Sequence, residues 1–205
     1  MSGIFKKKET VTNIGILGGT FDPVHTGHIE MAKAAYEQCM LDRLMFMPTG
    51  NPPHKTGITP ADKRLAMVEL ALSDHPEFEI SDIELKREGI IYTADTIDIV
   101  KDQWPDAVIY YIIGADSLAY IDKWYQPERF LDKITLTVCN RTGYPLNDLN
   151  LQCAHIAETF KTHVMVLDFT CVDISSSDIR NDPGKYKDYI PEKVYDYIKK
   201  EGLYA

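Results

Sequence analysis

Asn13–Leu17 (NIGIL) is a short apolar run that stops at Gly18-Gly19, the pattern of a buried first strand. After the loop GGTFDPVHTGH, the stretch IEMAKAAYEQC carries helical periodicity. Leu44–Met47 predicts a second strand, followed by the Gly/Pro-rich loop PTGNPPHKTG. Residues 60–73 predict a helix, with Thr59 as its cap and Pro60 at the first helical position. Phe78–Ile83 reads as a strand. Thr93–Gln103 reads as a helix that stops before Trp104-Pro105, because a residue preceding proline is driven out of the helical region. Ala107–Ile113 is strongly β-prone and ends at Gly114; Ile134–Cys139 is another such run, and Val164–Leu167 a shorter one. Residues 140–163 are the least patterned, with room for one helix at Asn147–Phe160. From Ile174 onward the chain predicts helix in two pieces, the second being PEKVYDYIKKEGLY. Strands that alternate with helices imply an α/β fold, doubly wound, with a mainly parallel sheet and a C-terminal helical segment. The chain has 205 residues, which fits one domain at 13–205 preceded by a tail at 1–12.

The hydrophobic fraction of 44% is enough for a core without staples. The net charge of −9 argues against a general nucleic-acid binder, which needs a basic face to neutralise phosphates. It leaves room for an anionic small substrate, since a local cationic pocket can sit in an acidic protein. The cysteines Cys39, Cys139, Cys153 and Cys171 form no CxxC pair, so neither a zinc knuckle nor a thioredoxin-type motif is expected, and they read as buried thiols of a reducing compartment. MSGIFKKKETVTN has lysines but no apolar core after them, unlike a signal peptide, and its KKKE stretch reads as a solvated tail. No apolar run approaches the ~18 residues of a membrane span. The expectation is a cytoplasmic protein with no membrane or nucleic-acid partner; the sequence leaves open whether copies of the chain form a homo-oligomer.

The loop after the first strand concentrates the chemistry. Gly18 and Gly19 let a ligand approach the backbone. His25 and His28 lie three residues apart at a helix start and so share a face, and Gly27 between them leaves space. A helix N-terminus attracts phosphate through unpaired N–H groups and its dipole, and in doubly wound folds ligands bind at the carboxyl ends of strands. Phosphate binding is one reading. Half of a metal site, with Asp22 as a third ligand, and no function at all are the others. The loop is neither a Walker A motif nor GxGxxG. A second stretch, Ile174-Ser175-Ser176-Ser177-Asp178-Ile179-Arg180, opens a helix with an approximate capping box from Ser175 to Asp178. Read blandly it is only a cap. Read functionally it is a second anion site, with serine hydroxyls and helix N–H groups on phosphate oxygens and Arg180 as a planar cation.

The first loop, GGTFDPVHTGH, resembles the HxGH signature of the nucleotidyltransferase superfamily, and ISSSDIR resembles the motif that closes the nucleotide site in the same superfamily. Further stretches resemble the bacterial nicotinate-mononucleotide adenylyltransferases. They are Asn51-Pro52-Pro53-His54-Lys55, Tyr92-Thr93-Ala94-Asp95-Thr96, Ile113-Gly114-Ala115-Asp116-Ser117 with Lys123-Trp124-Tyr125 after it, Asn140-Arg141-Thr142-Gly143-Tyr144, and the final YIKKEGLY. The likeness runs from about residue 13 to 204. It departs at Asn140 and Thr142, where the family more often has Ser and Pro.

The resemblance implies a Rossmann-like nucleotidyltransferase fold and transfer of AMP from ATP to nicotinate mononucleotide. It implies His25, His28 and Arg180 as catalytic groups. It implies Gly18, Gly19, Thr20, Phe21, Lys55, Gly114, Asp116, Ser175 and Ser176 around ATP, and Thr93, Trp124 and Arg141 around the second substrate. Mg²⁺ is expected to arrive with ATP, held mainly by the nucleotide and water, with no metal site in the protein. The rivals are a sister enzyme acting on phosphopantetheine or nicotinamide mononucleotide, and a non-catalytic nucleotide sensor that kept the fold.

Overall fold

A computed structural model describes residues 13–51 and 57–204. Among them six strands form one parallel sheet: β1 (Asn13–Gly19), β2 (Arg43–Pro48), β3 (Glu79–Ile80), β4 (Val108–Gly114), β5 (Thr135–Arg141) and β6 (His163–Cys171). Their order is β3-β2-β1-β4-β5-β6, every neighbouring pair parallel. The chain therefore steps outward from β1 to β2 and β3, returns to β4 beside β1, and steps outward the other way. The loops leaving β1 and β4 diverge, and a crevice opens between them at the carboxyl ends of the strands.

Side chains alternate across each strand, so successive apolar residues feed opposite layers. Leu17, Leu44, Phe46 and Ile112 pack beneath α1 (Thr26–Gln38), α2 (Ala61–Leu72), α7 (Ser176–Asn181) and α8 (Glu192–Lys200). Ile14, Ile16, Met45, Met47, Ile109 and Ile113 pack beneath α3 (Thr93–Gln103), α4 (Ala115–Leu118), α5 (Glu128–Leu131) and α6 (Leu146–Phe160). Burial on both faces explains why β1 and β4 read as continuous apolar runs. The two clusters are the two sides of a doubly wound fold, and each fully buried aliphatic or Phe side chain in them contributes about 1.5–3 kcal/mol. No described helix is long and apolar enough to cross a membrane.

Most expected elements are present, with three differences. The expected strand at 78–83 is only Glu79–Ile80, paired to Met45 and Phe46. Beyond Asp82 the chain turns, with Lys86 N–H donating to the Asp82 carbonyl, and Glu84 is drawn into the protein to accept from the Thr96 hydroxyl at 2.8 Å. The short run at 164–167 is instead a nine-residue strand that pairs along β5, with a register shift between Val138 and Asn140. Thr59 does not cap α2; Pro60 occupies the cap, while the Thr59 amide donates to Asp22 Oδ2 at 3.2 Å. The tail at 1–12 lies outside the described residues.

Candidate active site

The loop from β1 into α1 carries the two histidines. His25 is the residue before the first turn of α1 and His28 lies in that turn, so their rings face each other with centroids 3.7 Å apart. The His25 N–H donates to His28 Nδ1 at 3.2 Å, which puts the His28 proton on Nε2. Burial drives the His25 pKa down to about 4, helped by the positive charge of Arg141 and opposed by Asp178. His25 is thus a neutral imidazole at pH 7, and its buried Nδ1 has no hydrogen-bond partner. Two glycines sit in tight quarters here. A Cβ at Gly18 would sit 2.7 Å from the Tyr111 hydroxyl, and one at Gly27 would sit 3.1 Å from His25 Nδ1. Phe21 adopts a φ of 50°, an uncommon conformation for an aromatic residue, and packs edge-on to His28.

The ISSSDIR stretch docks onto this loop from about 150 residues away. Ser175 caps α7: its Oγ accepts from the Asp178 amide at 3.1 Å, and the Asp178 carboxylate accepts from the Ser175 amide at 3.0 Å. The Ser176 hydroxyl donates to the Pro23 carbonyl at 2.9 Å. Arg180 donates to the Asp22 carbonyl at 2.7 Å and to Ser177 Oγ at 3.0 Å. The hydroxyls of Ser175 and Ser176 are therefore engaged within the protein, and Arg180 is the cation this helix presents to the cleft.

The cleft encloses about 620 Å³. It is lined by Gly18, Gly19, Thr20, Phe21, His25 and His28 from the first loop, by Gly114 and Asp116 after β4, and by Trp124, Arg141, Ser175, Ser176 and Arg180. Arg141 bridges the mouth by pairing with Asp116 on one side and Asp173 on the other. Trp124 stands edge-on to Tyr111 and stacks on Phe130. Thr93 is not among the lining residues; it is the first residue of α3, behind Tyr111, whose hydroxyl it hydrogen-bonds. Lys55 lies outside the described residues. No group of three or more His, Cys, Asp or Glu that would hold a metal ion occurs among the described residues.

The cytidylyltransferase-like family model matches residues 16–182, the span from β1 through α7 that builds this cleft. A probable nicotinate-nucleotide adenylyltransferase of Clostridium tetani is 41% identical, over 92% of this chain and 97% of the relative. Its counterpart in Clostridium acetobutylicum is 39% identical, over 93% and 98%. The chain belongs to the nicotinate-nucleotide adenylyltransferases of the cytidylyltransferase-like family. The nicotinic acid mononucleotide adenylyltransferase of Plasmodium falciparum, solved in complex with NaAD, has the same fold at 20% identity: the TM-score is 0.79, over 94% of this chain and 97% of that one.

Below its cleft, this adenylyltransferase-family chain has a polar hub that sequence reasoning missed. Asp22, 2% exposed, accepts from the Tyr204 hydroxyl at 2.6 Å and from the Thr59 amide. Burial raises its pKa, but the bonds from Thr59 and Tyr204 and the charge of Arg180 outweigh this and hold the carboxyl below its ordinary value. With these partners Asp22 serves the loop rather than a metal. Arg64, fully buried, donates to the carbonyls of Thr59 at 2.9 Å, Thr20 at 2.7 Å and Gly50 at 3.1 Å, and so ties the β1–α1 loop to both ends of the β2–α2 loop. One signal was in the sequence. Arg64 shares the buried face of α2 with Met67, Val68, Ala71 and Leu72, and a cation at an apolar position needs buried acceptors. Tyr204 was marked only as the last residue of YIKKEGLY, with nothing to say that it meets Asp22.

Proposed function

We propose that this chain transfers AMP from Mg-ATP to nicotinate mononucleotide, releasing nicotinate adenine dinucleotide and pyrophosphate. The observation that carries the reading is the convergence of His25, His28 and Arg180 on one cleft at the switch point of the sheet, in a chain 41% identical over most of its length to a relative bearing that activity's name.

The 5′-phosphate of the mononucleotide attacks the α-phosphorus of ATP in line, the α–β bridging bond breaks, and pyrophosphate leaves. No covalent enzyme intermediate is required, so the protein contributes positioning and charge stabilisation. His28 donates through Nε2 to a phosphoryl oxygen. His25, neutral and lining the cleft, offers a second contact in a desolvated position where hydrogen bonds are strong. Arg180, fixed by the Asp22 carbonyl, neutralises charge that builds on the leaving group. The backbone at Gly18–Phe21, with Ser175 and Ser176, lies against the phosphates, and Lys55, which lies outside the described residues, is assigned to the triphosphate from its motif alone. Gly114 and Asp116 hold the ribose, with Arg141 opposite. The pyridine ring lies on Trp124, and its carboxylate points towards the start of α3, an end that favours an anion over an amide; Thr93, assigned to that carboxylate, stands behind Tyr111 rather than in the cleft lining. Mg²⁺ enters as part of the nucleotide substrate, held mainly by the phosphates and water. The reading further takes residues 13–205 as one domain, 1–12 as a tail, and the cytoplasm as the site of action.

Pyrophosphate release with Mg-ATP tests it, with nicotinate mononucleotide, nicotinamide mononucleotide and phosphopantetheine compared at equal concentration. Preference for the nicotinate compound is the expected result. Preference for another acceptor refutes the pocket assignment, and no release with any acceptor refutes catalysis.

A further inference from the structure

Two of the four cysteines differ from the others. β5 and β6 run side by side, and the register shift between Val138 and Asn140 brings Cys139 against Cys171, with their sulfurs 2.7 Å apart. Both line the cleft, Cys139 fully buried and Cys171 7% exposed. Each immediately precedes a functional stretch: Cys139 leads into Asn140-Arg141, and Cys171 leads into Val172-Asp173 and ISSSDIR. The Cys171 carbonyl also accepts from the amide and the hydroxyl of Thr142, both at 3.1 Å, so the pair sits where the two strand ends are stitched together. Cys39 and Cys153 make a contrast. They lie in the two apolar layers away from the cleft, and burial pushes both thiols up.

We propose that Cys139 and Cys171 are an oxidation site, a dithiol in the wall of the cleft that a peroxide converts to a reversible disulfide. At this distance either S–H can donate to the other sulfur. The mutual contact holds one thiol down and pushes the other up; Cys139 is the lowered one and serves as the attacking sulfur. The Cys139 thiolate attacks one oxygen of hydrogen peroxide and the O–O bond breaks. The departing hydroxide takes up the proton Cys139 released, giving one water and a sulfenic acid. The Cys171 sulfur then attacks the Cys139 sulfur and the S–O bond breaks. The second hydroxide leaves with the Cys171 proton as water. Two thiols and one peroxide give one disulfide and two waters, and the sulfur pair is oxidised by two electrons. The bridge removes the thiol donor that faces the Asn140 carbonyl at 3.3 Å, and it ties together the strand ends that carry Arg141 and Asp173, on either side of the mouth.

The effect on catalysis rests on the reading that this cleft takes ATP; formation of the bridge does not. Purified full-length chain, reduced and then exposed to hydrogen peroxide, is expected to lose the mass of two hydrogens. Peptide mapping should find Cys139 joined to Cys171, and dithiothreitol should reverse the change. Cys139→Ser and Cys171→Ser should each abolish the bridge (Cys139→Ala serves where the serine variant fails to fold), whereas Cys39→Ser should leave it intact. Saturating Mg-ATP should slow bridge formation. Displacing an active-site group by about 1 Å costs about 10²-fold, and a bridge acting over part of that distance should lower pyrophosphate release about tenfold, reversibly. Absence of the Cys139–Cys171 bridge, or its replacement by overoxidised single cysteines, overturns the proposal whatever the cleft binds. A bridge that changes neither pyrophosphate release in an active preparation nor its own rate with Mg-ATP overturns the link to the cleft.

Discussion

Tyr204→Phe probes how far the C-terminal end of the chain supports the first loop. The substitution keeps the ring and deletes one O–H, so it opens no cavity. What is lost is the 2.6 Å bond to Asp22 Oδ1 and the weaker 3.4 Å contact with the Thr59 hydroxyl. A hydrogen bond to a charged group is worth about 1.5–3 kcal/mol. A loss of about 2 kcal/mol lowers Tm by about 4–8 °C in a chain of this size. The pH dependence follows from the direction of the Asp22 shift. Its folded pKa lies below the ordinary value of 3.8, so the carboxylate contributes stability that is fully present above that value and is lost as pH falls through the folded pKa. Removing the Tyr204 donor raises the folded pKa and shrinks that contribution. The Tm gap between parent and variant should therefore be complete from about pH 5 upward and should close below about pH 4. Thermal melts followed by circular dichroism, in a pH series down to the lowest value at which both proteins fold, measure the gap. A gap under about 1 °C at pH 7, or one that stays constant into acid, refutes the argument, since either result means that Tyr204 does not act through the Asp22 charge.

Other outcomes follow from the same geometry. His25→Ala and His28→Ala should each lower kcat by about 10²–10³-fold, and near-full activity in either would remove that histidine from catalysis. Because burial depresses the His25 pKa from 6.5 to about 4, His25 contributes stability that is complete above about pH 6.5 and is lost as pH falls towards 4. Urea titrations across that window should accordingly show a flatter pH slope for His25→Ala than for the parent. Trp124→Ala should raise KM for nicotinate mononucleotide by about 2–10-fold, from a stacking contribution of about 0.5–1.5 kcal/mol; an unchanged KM would move the pyridine elsewhere. Arg64→Met fills the space but strips the donor from three buried carbonyls. It should cost more than about 3 kcal/mol, and a denaturation midpoint close to the parent's would show that the hub is dispensable.

The linear chain declared its local chemistry well. Buried parallel strands must be apolar throughout, so β1, β4 and β5 were legible as runs, and the glycines and histidines of the first loop marked where those strands deliver a ligand. The short edge strand β3 was overread, because apolar alternation cannot say whether a neighbour is there to pair with it. The capping box from Ser175 to Asp178 was visible because it spans three residues. Its docking onto Pro23 and Asp22 was not, because those partners lie about 150 residues away. The same limit hid Tyr204 beneath Asp22, Asp173 beside Arg141, and Cys171 against Cys139. Sequence periodicity reports which face of an element is buried; which distant polar group meets it there is decided by strand order and register, which exist only once the sheet has formed.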